Sequence, residues 1–323
     1  MTASTTPRPA AARSRLAAAG AIAVAGTLLL TGCGDQRDKT TTGNGAGQTA
    51  AGSQAPLFAK LPKKIQDSKV IKVGSDIAYP PVEFKQDGKV VGIDPDIAAA
   101  LGKELGVKVE FNNGTFDALL TGLRSKRYDI AMSAMTDTKD RQEGVDSKTK
   151  KKVGEGVDFV DYFNAGVSLY TKKGDTKGIG GWADLCDKKV AVQRGTVSHD
   201  LAKSQSDKCE KDDKGSISIE AFDTDLEAQT RLKAGGVDAV SSDFPVAAYA
   251  VKTSGGGKDF EIVGDQVEAA PYGIAVAKDN AQLRDALKEA LEAIVKNGTY
   301  EKVVKTWGVD AGAIKEVKIN GGS

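Results

Sequence analysis

The sequence predicts an α/β fold, a mostly parallel sheet covered by helices and laid down in two similar blocks. From residue 70 onward, short apolar runs alternate with stretches whose apolar residues recur at helical spacing. Helix-start signals, Asp94-Pro95-Asp96 and Thr224-Asp225-Leu226-Glu227, follow strand-like runs. The composition is globular: 40% apolar, 28% charged, with 45 basic against 44 acidic residues. The 323 residues suit one large or two medium domains.

In the first block, 70–74 (VIKVG) reads as a strand. Asp94 then opens a helix as its N-cap, with Pro95 at the first helical position and acids that suit the helix dipole. Ile97, Leu101 and Leu105, at spacing four, form its buried face, and Gly106 ends it. A strand at 107–111, an amphipathic helix at 116–123 and a strand at 128–133 follow, closing in the polar turn Thr136-Asp137-Thr138.

The second block repeats the style. A strand at 189–193 turns through Gly195-Thr196-Val197-Ser198 into a helix, and 217–222 is the next strand. The capping box at Thr224 starts another helix, and 236–241 is a strand ending at Ser242-Asp243. Strands at 260–263 and 272–277 precede a long helix carrying Leu283, Leu287, Leu291 and Ile294. Asn297-Gly298 stops that helix, and Thr299 caps the last one, which ends near Trp307. Between the blocks, the segment 142–158 carries Lys148, Lys150, Lys151 and Lys152 and repeats Glu-Gly-Val-Asp at 143 and 155. It reads either as a solvated loop or as a rim element that touches a partner.

The N-terminal 32 residues hold Arg8, Arg13 and Arg15, no acid, and an apolar run from 16 to 30. That run of about 15 residues is shorter than the roughly 20 a spanning helix needs, so 1–32 reads as a signal peptide. Its end, Leu30-Thr31-Gly32-Cys33, resembles the lipobox of bacterial lipoproteins, which makes Cys33 the expected lipidation site. Residues 34–56 contain no Val, Ile, Leu, Met or aromatic residue and read, with Cys33, as a flexible tether over 33–56. Such a tether spans on the order of 25 Å. The remaining Cys186 and Cys209 are expected to pair in an exported protein, since closing a loop of about 22 residues contributes roughly 3 kcal/mol. The alternative is two free thiols.

Composition also excludes. A near-neutral total provides no domain-wide basic field for nucleic acid. Three Cys and one His are too few for a Cys/His zinc site, and no cofactor is expected. Ser198, His199 and Asp200 are neighbours on one helix and do not face one another, so they form no triad, and His199 reads as a surface residue.

Several ordered motifs carry a likeness to a known family. They are Asp76-Ile-Ala-Tyr-Pro-Pro81, Gly92-Ile-Asp-Pro-Asp-Ile97 with Leu101, Gly102 and Leu105, Phe116-Asp-Ala-Leu-Leu120, Tyr128-Asp-Ile-Ala131, Thr136-x-Thr138-x-x-Arg141, and Asn297-Gly-Thr-Tyr300 through Trp307-Gly308. Over about 68–309 the chain resembles the bacterial extracellular solute-binding proteins of family 3, the amino-acid-binding subunits of ABC importers. Pro95 departs from the pattern, which usually has an aliphatic residue or Thr there.

The resemblance implies a two-lobed, type II periplasmic-binding-protein-like fold with two hinge crossovers. Lobe 1 would hold 57–163 plus 270–323 and lobe 2 would hold 169–266, with hinges near 163–167 and 267–272. It also implies a site for a zwitterionic amino acid. Arg141 would grip the carboxylate in a bidentate fork, helped by backbone N–H groups near Thr136, Thr196 and Val197. The family often has a hydroxyl where Val197 stands, so Thr196 or Ser198 would substitute. Asp243 would hold the ammonium group, its other role being to cap the following helix. Ser133 would offer a hydroxyl or its carbonyl and Ala134 its backbone. Tyr79 would lie against the ligand side chain and Asp76 would face a polar or cationic group on it. Asp129 and Asp238 read as strand-edge structure, and Phe84 as core or pocket floor.

The expected protein is therefore not an enzyme. It is a monomeric lipoprotein on the extracytoplasmic face of the cell membrane, which binds a polar amino acid and delivers it to the transmembrane subunits of an ABC permease. Two alternatives share the scaffold: an exported cyclohexadienyl-dehydratase-like enzyme, and a ligand sensor docking to a membrane kinase.

Overall fold

The computed structural model describes residues 55–323. The expected signal segment, Cys33 and the tether up to residue 54 lie outside the described residues. The strands are β1 (Val70–Ser75), β2 (Ala78–Tyr79), β3 (Glu83–Gln86), β4 (Lys89–Val91), β5 (Lys108–Asn113), β6 (Ile130–Ala131), β7 (Val157–Lys172), β8 (Lys189–Gln193), β9 (Ser218–Phe222), β10 (Ala239–Asp243) and β11 (Phe260–Ala277). The helices are α1 (Lys63–Ser68), α2 (Ile93–Leu105), α3 (Leu119–Arg124), α4 (Lys139–Glu143), α5 (Val197–Lys211), α6 (Asp225–Lys233), α7 (Phe244–Thr253), α8 (Ala281–Lys296) and α9 (Thr299–Trp307).

Eight strands form one sheet in the order β5-β1-β6-β11-β7-β10-β8-β9, and β2-β3-β4 form a small antiparallel sheet beside it. At each end of the large sheet the strands are parallel, β5-β1-β6 and β10-β8-β9, as βαβ connections require. The long β7 and β11 run antiparallel to each other through the middle. The stretches 260–263 and 272–277 are thus two ends of one strand, with register shifts between Val263 and Val267, Val267 and Ala270, and Tyr272 and Gly273. The expected crossover positions, 163–167 and 267–272, fall within these two strands.

Apolar side chains pack on both faces of each half of the sheet. Ile97, Leu101, Leu287 and Leu291 from α2 and α8 cover one face of the β1 half, and Phe116, Leu119, Tyr128 and Phe159 the other. In the β8 half, Leu185, Val190 and Ala202 oppose Tyr170, Leu232, Val240 and Phe260. These are the layers of an α/β fold with helices on both faces.

Local differences from the sequence reading have physical causes. The helix expected to open at Asp94 begins two residues early, with Gly92 and not Asp94 at the N-cap. Gly92 has φ 137°, and a Cβ there would sit 2.2 Å from the Val82 carbonyl, so only glycine fits. The Asp94 carboxylate is drawn instead to tertiary partners described below. Gly298, not Thr299, occupies the N-cap of α9. The helix expected at 116–123 opens with a 3₁₀ turn, Phe116–Ala118, and the strand expected at 128–133 is only Ile130–Ala131. The capping box at Thr224 and Glu227 is present, and Asp129 and Asp238 take strand-edge backbone N–H groups from Lys72 and Lys189.

Cys186 and Cys209 form a disulfide that ties the segment before β8 to the end of α5. Replacing both by Ser is expected to lower unfolding free energy by about 2–4 kcal/mol, read as a lower urea midpoint. An unchanged midpoint would show that the bridge constrains little. Among the described residues no helix is long and apolar enough to cross a membrane.

Candidate functional site

The carboxyl ends of the parallel strands are where an open α/β sheet presents backbone and side chains to a ligand. Here β1 runs into Asp76, the segment after β6 carries Ser133 to Thr136, β8 ends at Gln193, and β10 ends at Asp243. The structure brings these ends together. The side-chain amide of Gln193 donates to Asp76 Oδ2, and the Asp243 N–H donates to the Tyr79 hydroxyl at 3.3 Å. Arg141 Nη1 donates to the Thr136 carbonyl at 2.6 Å and Nη2 to the Gly195 carbonyl at 3.0 Å. Each of these contacts except that to Thr136 links the first block of sequence to the second.

Arg141 sits on α4, whose first turn is capped by Thr138, and its guanidinium lies 5.3 Å from the Phe116 ring centre. No carboxylate among the described residues forms an ion pair with it. Burial lowers its pKa from the usual arginine value, and the more distant Asp200, Asp243 and Asp137 oppose that fall. Asp243 holds the N-cap position of α7, yet its carboxylate makes no capping bond. Burial pushes its pKa up to about 6, against the pull of the neighbouring tyrosine hydroxyls and Arg141. Burial likewise raises Asp76 to about 6, opposed by the Gln193 hydrogen bond. No lysine or arginine is ion-paired with Asp76 or Asp243 among the described residues.

Two of the hydroxyls that could face the cleft, those of Ser133 and Thr196, are engaged elsewhere. Ser133 Oγ donates to Glu83 Oε1 at 2.5 Å and accepts the Asp76 N–H at 3.0 Å, which leaves the Ser133 carbonyl as its group for a ligand. Thr196 Oγ1 donates to the Gln193 carbonyl at 2.8 Å and accepts the His199 N–H at 3.2 Å, capping α5. What the start of α5 presents is the backbone at Val197 and Ser198. Thr136 is bridged to Tyr272 of β11, and its carbonyl is taken by Arg141. Ala134 has φ 46°, and its N–H donates to Asp94 Oδ2 at 3.2 Å. His199 is half-buried, not fully exposed, and its Nδ1 accepts the Gly195 N–H at 3.3 Å.

The sequence reading missed the groups that support these. Gln193 was readable as a strand end but not as a partner of Asp76. Asp225, read only as part of a capping box, is buried and accepts hydrogen bonds from Ser242 and Gln229. Glu83 and Asp94 lie fully buried behind Ser133 and Ala134. The terminal segment closes over the far side of Arg141's helix. The Gly321 and Gly322 N–H groups donate to Asp161 and Asp137 at 2.9 and 2.8 Å, and Gln142 also donates to Asp137. Beside Asp137, burial raises Asp161 to about 7.

Two cavities flank this constellation. A wide one of about 740 Å³ lies over Arg141, Gly195, Val197 and His199. The Lys-rich segment 142–158 forms its rim: Val145 bridges Lys152, and Lys148 pairs with Asp207 of α5 at 2.8 Å. This pair is exposed and worth little by itself. A smaller cavity of about 250 Å³ lies between Phe163, Phe244, Tyr249 and Trp307. Phe84 packs near it, 6.2 Å from Tyr249 and 6.1 Å from Trp307. No group of His, Cys, Asp and Glu among the described residues is arranged to hold a metal.

The large α/β sheet crossed by two antiparallel strands, with a polar cleft at its strand ends, defines a solute-binding architecture. The sequence pattern of the bacterial extracellular solute-binding proteins, family 3, matches residues 71–310, and the chain belongs to that family. The arginine-binding protein ArgT of Corynebacterium glutamicum is 30% identical over 266 residues, covering 82% of each chain. The L-cystine-binding protein TcyJ of Escherichia coli is 26% identical over 260 residues, covering 80% of this chain and 90% of that one. Among solved structures, an ancestral arginine-binding protein bound to arginine superposes with TM-score 0.65 at 38% identity, covering 74% of this chain and 98% of that one. An ancestral amino-acid-binding protein described as a precursor of cyclohexadienyl dehydratase gives TM-score 0.65 at 35% identity, covering 76% and 97%. The architecture is that of the periplasmic-binding proteins, and the protein is a solute-binding protein, not an enzyme.

Proposed function

We propose that this protein captures a cationic amino acid, arginine foremost, in the cleft between its strand ends and delivers it to an ABC importer. One observation carries the reading. Among the described residues the site holds a single guanidinium without an anion, Arg141, and one buried and one half-buried carboxyl group without a cation, Asp76 and Asp243. An arginine ligand has the complementary set: one carboxylate, one ammonium and one cationic side chain. Arg141 would take the carboxylate with the backbone at Thr136, Thr196 and Val197. Asp243 and the carbonyl of Ser133 would take the ammonium, beside the backbone of Ala134. Tyr79 and Asp76 would flank the side chain. The names of several relatives, which specify arginine, support the choice.

The same reading assigns lobe 1 to 57–163 plus 270–323 and lobe 2 to 169–266, closing on β7 and β11 as hinges. It anchors a monomer by lipidated Cys33 and a tether to the extracytoplasmic face of the membrane. A thermal-shift panel of arginine, lysine, glutamine and cystine tests the ligand. Arginine at about 100 times its Kd stabilises the fold by about 2.7 kcal/mol. At about 2–4 °C per kcal/mol, that raises Tm by several degrees. No shift with any of the four would overturn the cationic-amino-acid reading.

A further inference from the structure

Behind the cleft, Glu83 at the start of β3 and Asp94 in the first turn of α2 are both 0% exposed. Neither forms an ion pair with a lysine or arginine among the described residues. Their carboxyl groups meet, and each has one oxygen already committed. Glu83 Oε1 accepts the Ser133 hydroxyl at 2.5 Å, and Asp94 Oδ2 accepts the Tyr162 hydroxyl at 2.9 Å and the Ala134 N–H at 3.2 Å. The remaining oxygens, Glu83 Oε2 and Asp94 Oδ1, are buried and reached by no donor among the described residues. Two ionised carboxylates in contact and out of water repel strongly, and orphaned buried acceptors are costly. One proton between these two oxygens removes both penalties.

We propose that Glu83 and Asp94 share one proton and act as positioning residues for the ligand cleft, fixing the Ser133 hydroxyl and the Ser133–Ala134 peptide. The peptide geometry links them to the ligand. Ala134 stays in a left-handed conformation that is unfavourable for a non-glycine residue, and its N–H is held by Asp94. In a planar trans peptide the C=O points opposite the N–H, so the Ser133 carbonyl is aimed away from Asp94. Ser133 Oγ, having given its hydrogen to Glu83, holds the Asp76 N–H and with it the backbone of a residue in the site. Other titratable groups near Glu83 are Asp76 after β1, Tyr162 of β7 and Tyr272 of β11; none supplies a positive charge. Burial first, and then Asp94, pushes Glu83 well above the ordinary carboxylate range, while Asp94 rises to about 6.

The ligand half of the inference rests on the cationic-amino-acid reading; the proton half does not. In the ligand-free protein at neutral pH, the infrared difference between wild type and Glu83→Gln should contain a protonated-carboxyl carbonyl band. Absence of that band overturns the shared proton whatever the ligand proves to be. In arginine titration calorimetry, Glu83→Gln, which mimics the protonated acid, should keep the wild-type affinity. Glu83→Ala should weaken it by about tenfold or more, because the Ser133 hydroxyl loses its acceptor. Equal losses in both variants, or no loss in Glu83→Ala, would overturn the positioning role. A ligand-free pH series separates positioning from bulk stability. Wild-type stability should fall as pH rises through the Glu83 pKa, and Glu83→Gln should lack that fall. Should wild type fail to bind arginine, the ligand reading falls and the infrared result alone decides the proton.

Discussion

Replacing Arg141 by Ala is expected to abolish arginine capture at ordinary concentrations while leaving the protein folded. The free-protein cost is modest, because the guanidinium hydrogen-bonds only to the Thr136 and Gly195 carbonyls, and Arg141 and Gly195 line a cleft that water can enter. Losing two such bonds costs about 1–3 kcal/mol. The cost to binding is larger. The ligand carboxylate would be buried without its partner, a loss of about 3–5 kcal/mol, or about a hundredfold to several thousandfold in Kd. Arg141→Lys would restore the charge without the two-pronged geometry and recover only part of the affinity. Calorimetric titration with arginine, beside a urea melt of the free variant, separates the two effects. Retained affinity in Arg141→Ala would remove it from the site and leave it as a strut between Thr136 and Gly195.

Much of this site was readable because its residues lie where strands end. Asp76, Gln193 and Asp243 follow apolar runs whose lengths are visible in the sequence, so strand ends could be located without coordinates. What could not be read was pairing across distance. β11 appears broken in the sequence, since Gly264 and Pro271 interrupt its apolar pattern, yet it continues because β7 supplies partners along its length. The misassigned cap at Asp94 has the same origin. An aspartate before Pro is a good N-cap in isolation, but Tyr162 and Ala134 offered hydrogen bonds that local propensity does not see. Glu83 carries no signal at all, because a lone acid in a short strand ordinarily faces water. Ser133 could offer a ligand its hydroxyl or its carbonyl, and Thr196 its backbone or its hydroxyl; both hydroxyls satisfy neighbouring backbone and carboxyl groups, which leaves the backbone groups.

Acidification is expected to move ligand affinity and ligand-free stability in opposite directions, which makes pH the second sharp test. Asp76 and Asp243 have folded pKa values raised from 3.8 to about 6, with burial as the first cause. A carboxyl group raised in this way contributes stability that is full below its unfolded pKa and lost as pH rises through its folded pKa. Each such rise corresponds to on the order of 3 kcal/mol. The ligand-free protein should therefore become more stable as pH falls from about 7 to about 5. Below about 4 the trend should reverse, because carboxylates lowered by their partners, Asp158, Glu220, Asp259 and Glu301 among them, then take up protons. Arginine binding runs the other way. Its ammonium and guanidinium groups need both carboxylates ionised, so below about 6 each must release a proton on binding, and affinity falls by up to about tenfold per pH unit for each. Between pH 7 and 5 the combined loss should approach about a hundredfold. Asp243→Asn should weaken binding at neutral pH and remove one proton from the pH slope. Titrations in two buffers of different ionisation enthalpy would count the protons directly. Affinity that stays level from pH 7 to 5, with no buffer-dependent heat, would mean that neither carboxylate meets a cation in the complex. Recognition would then have to rest on neutral groups such as Gln193 and the Ser133 carbonyl.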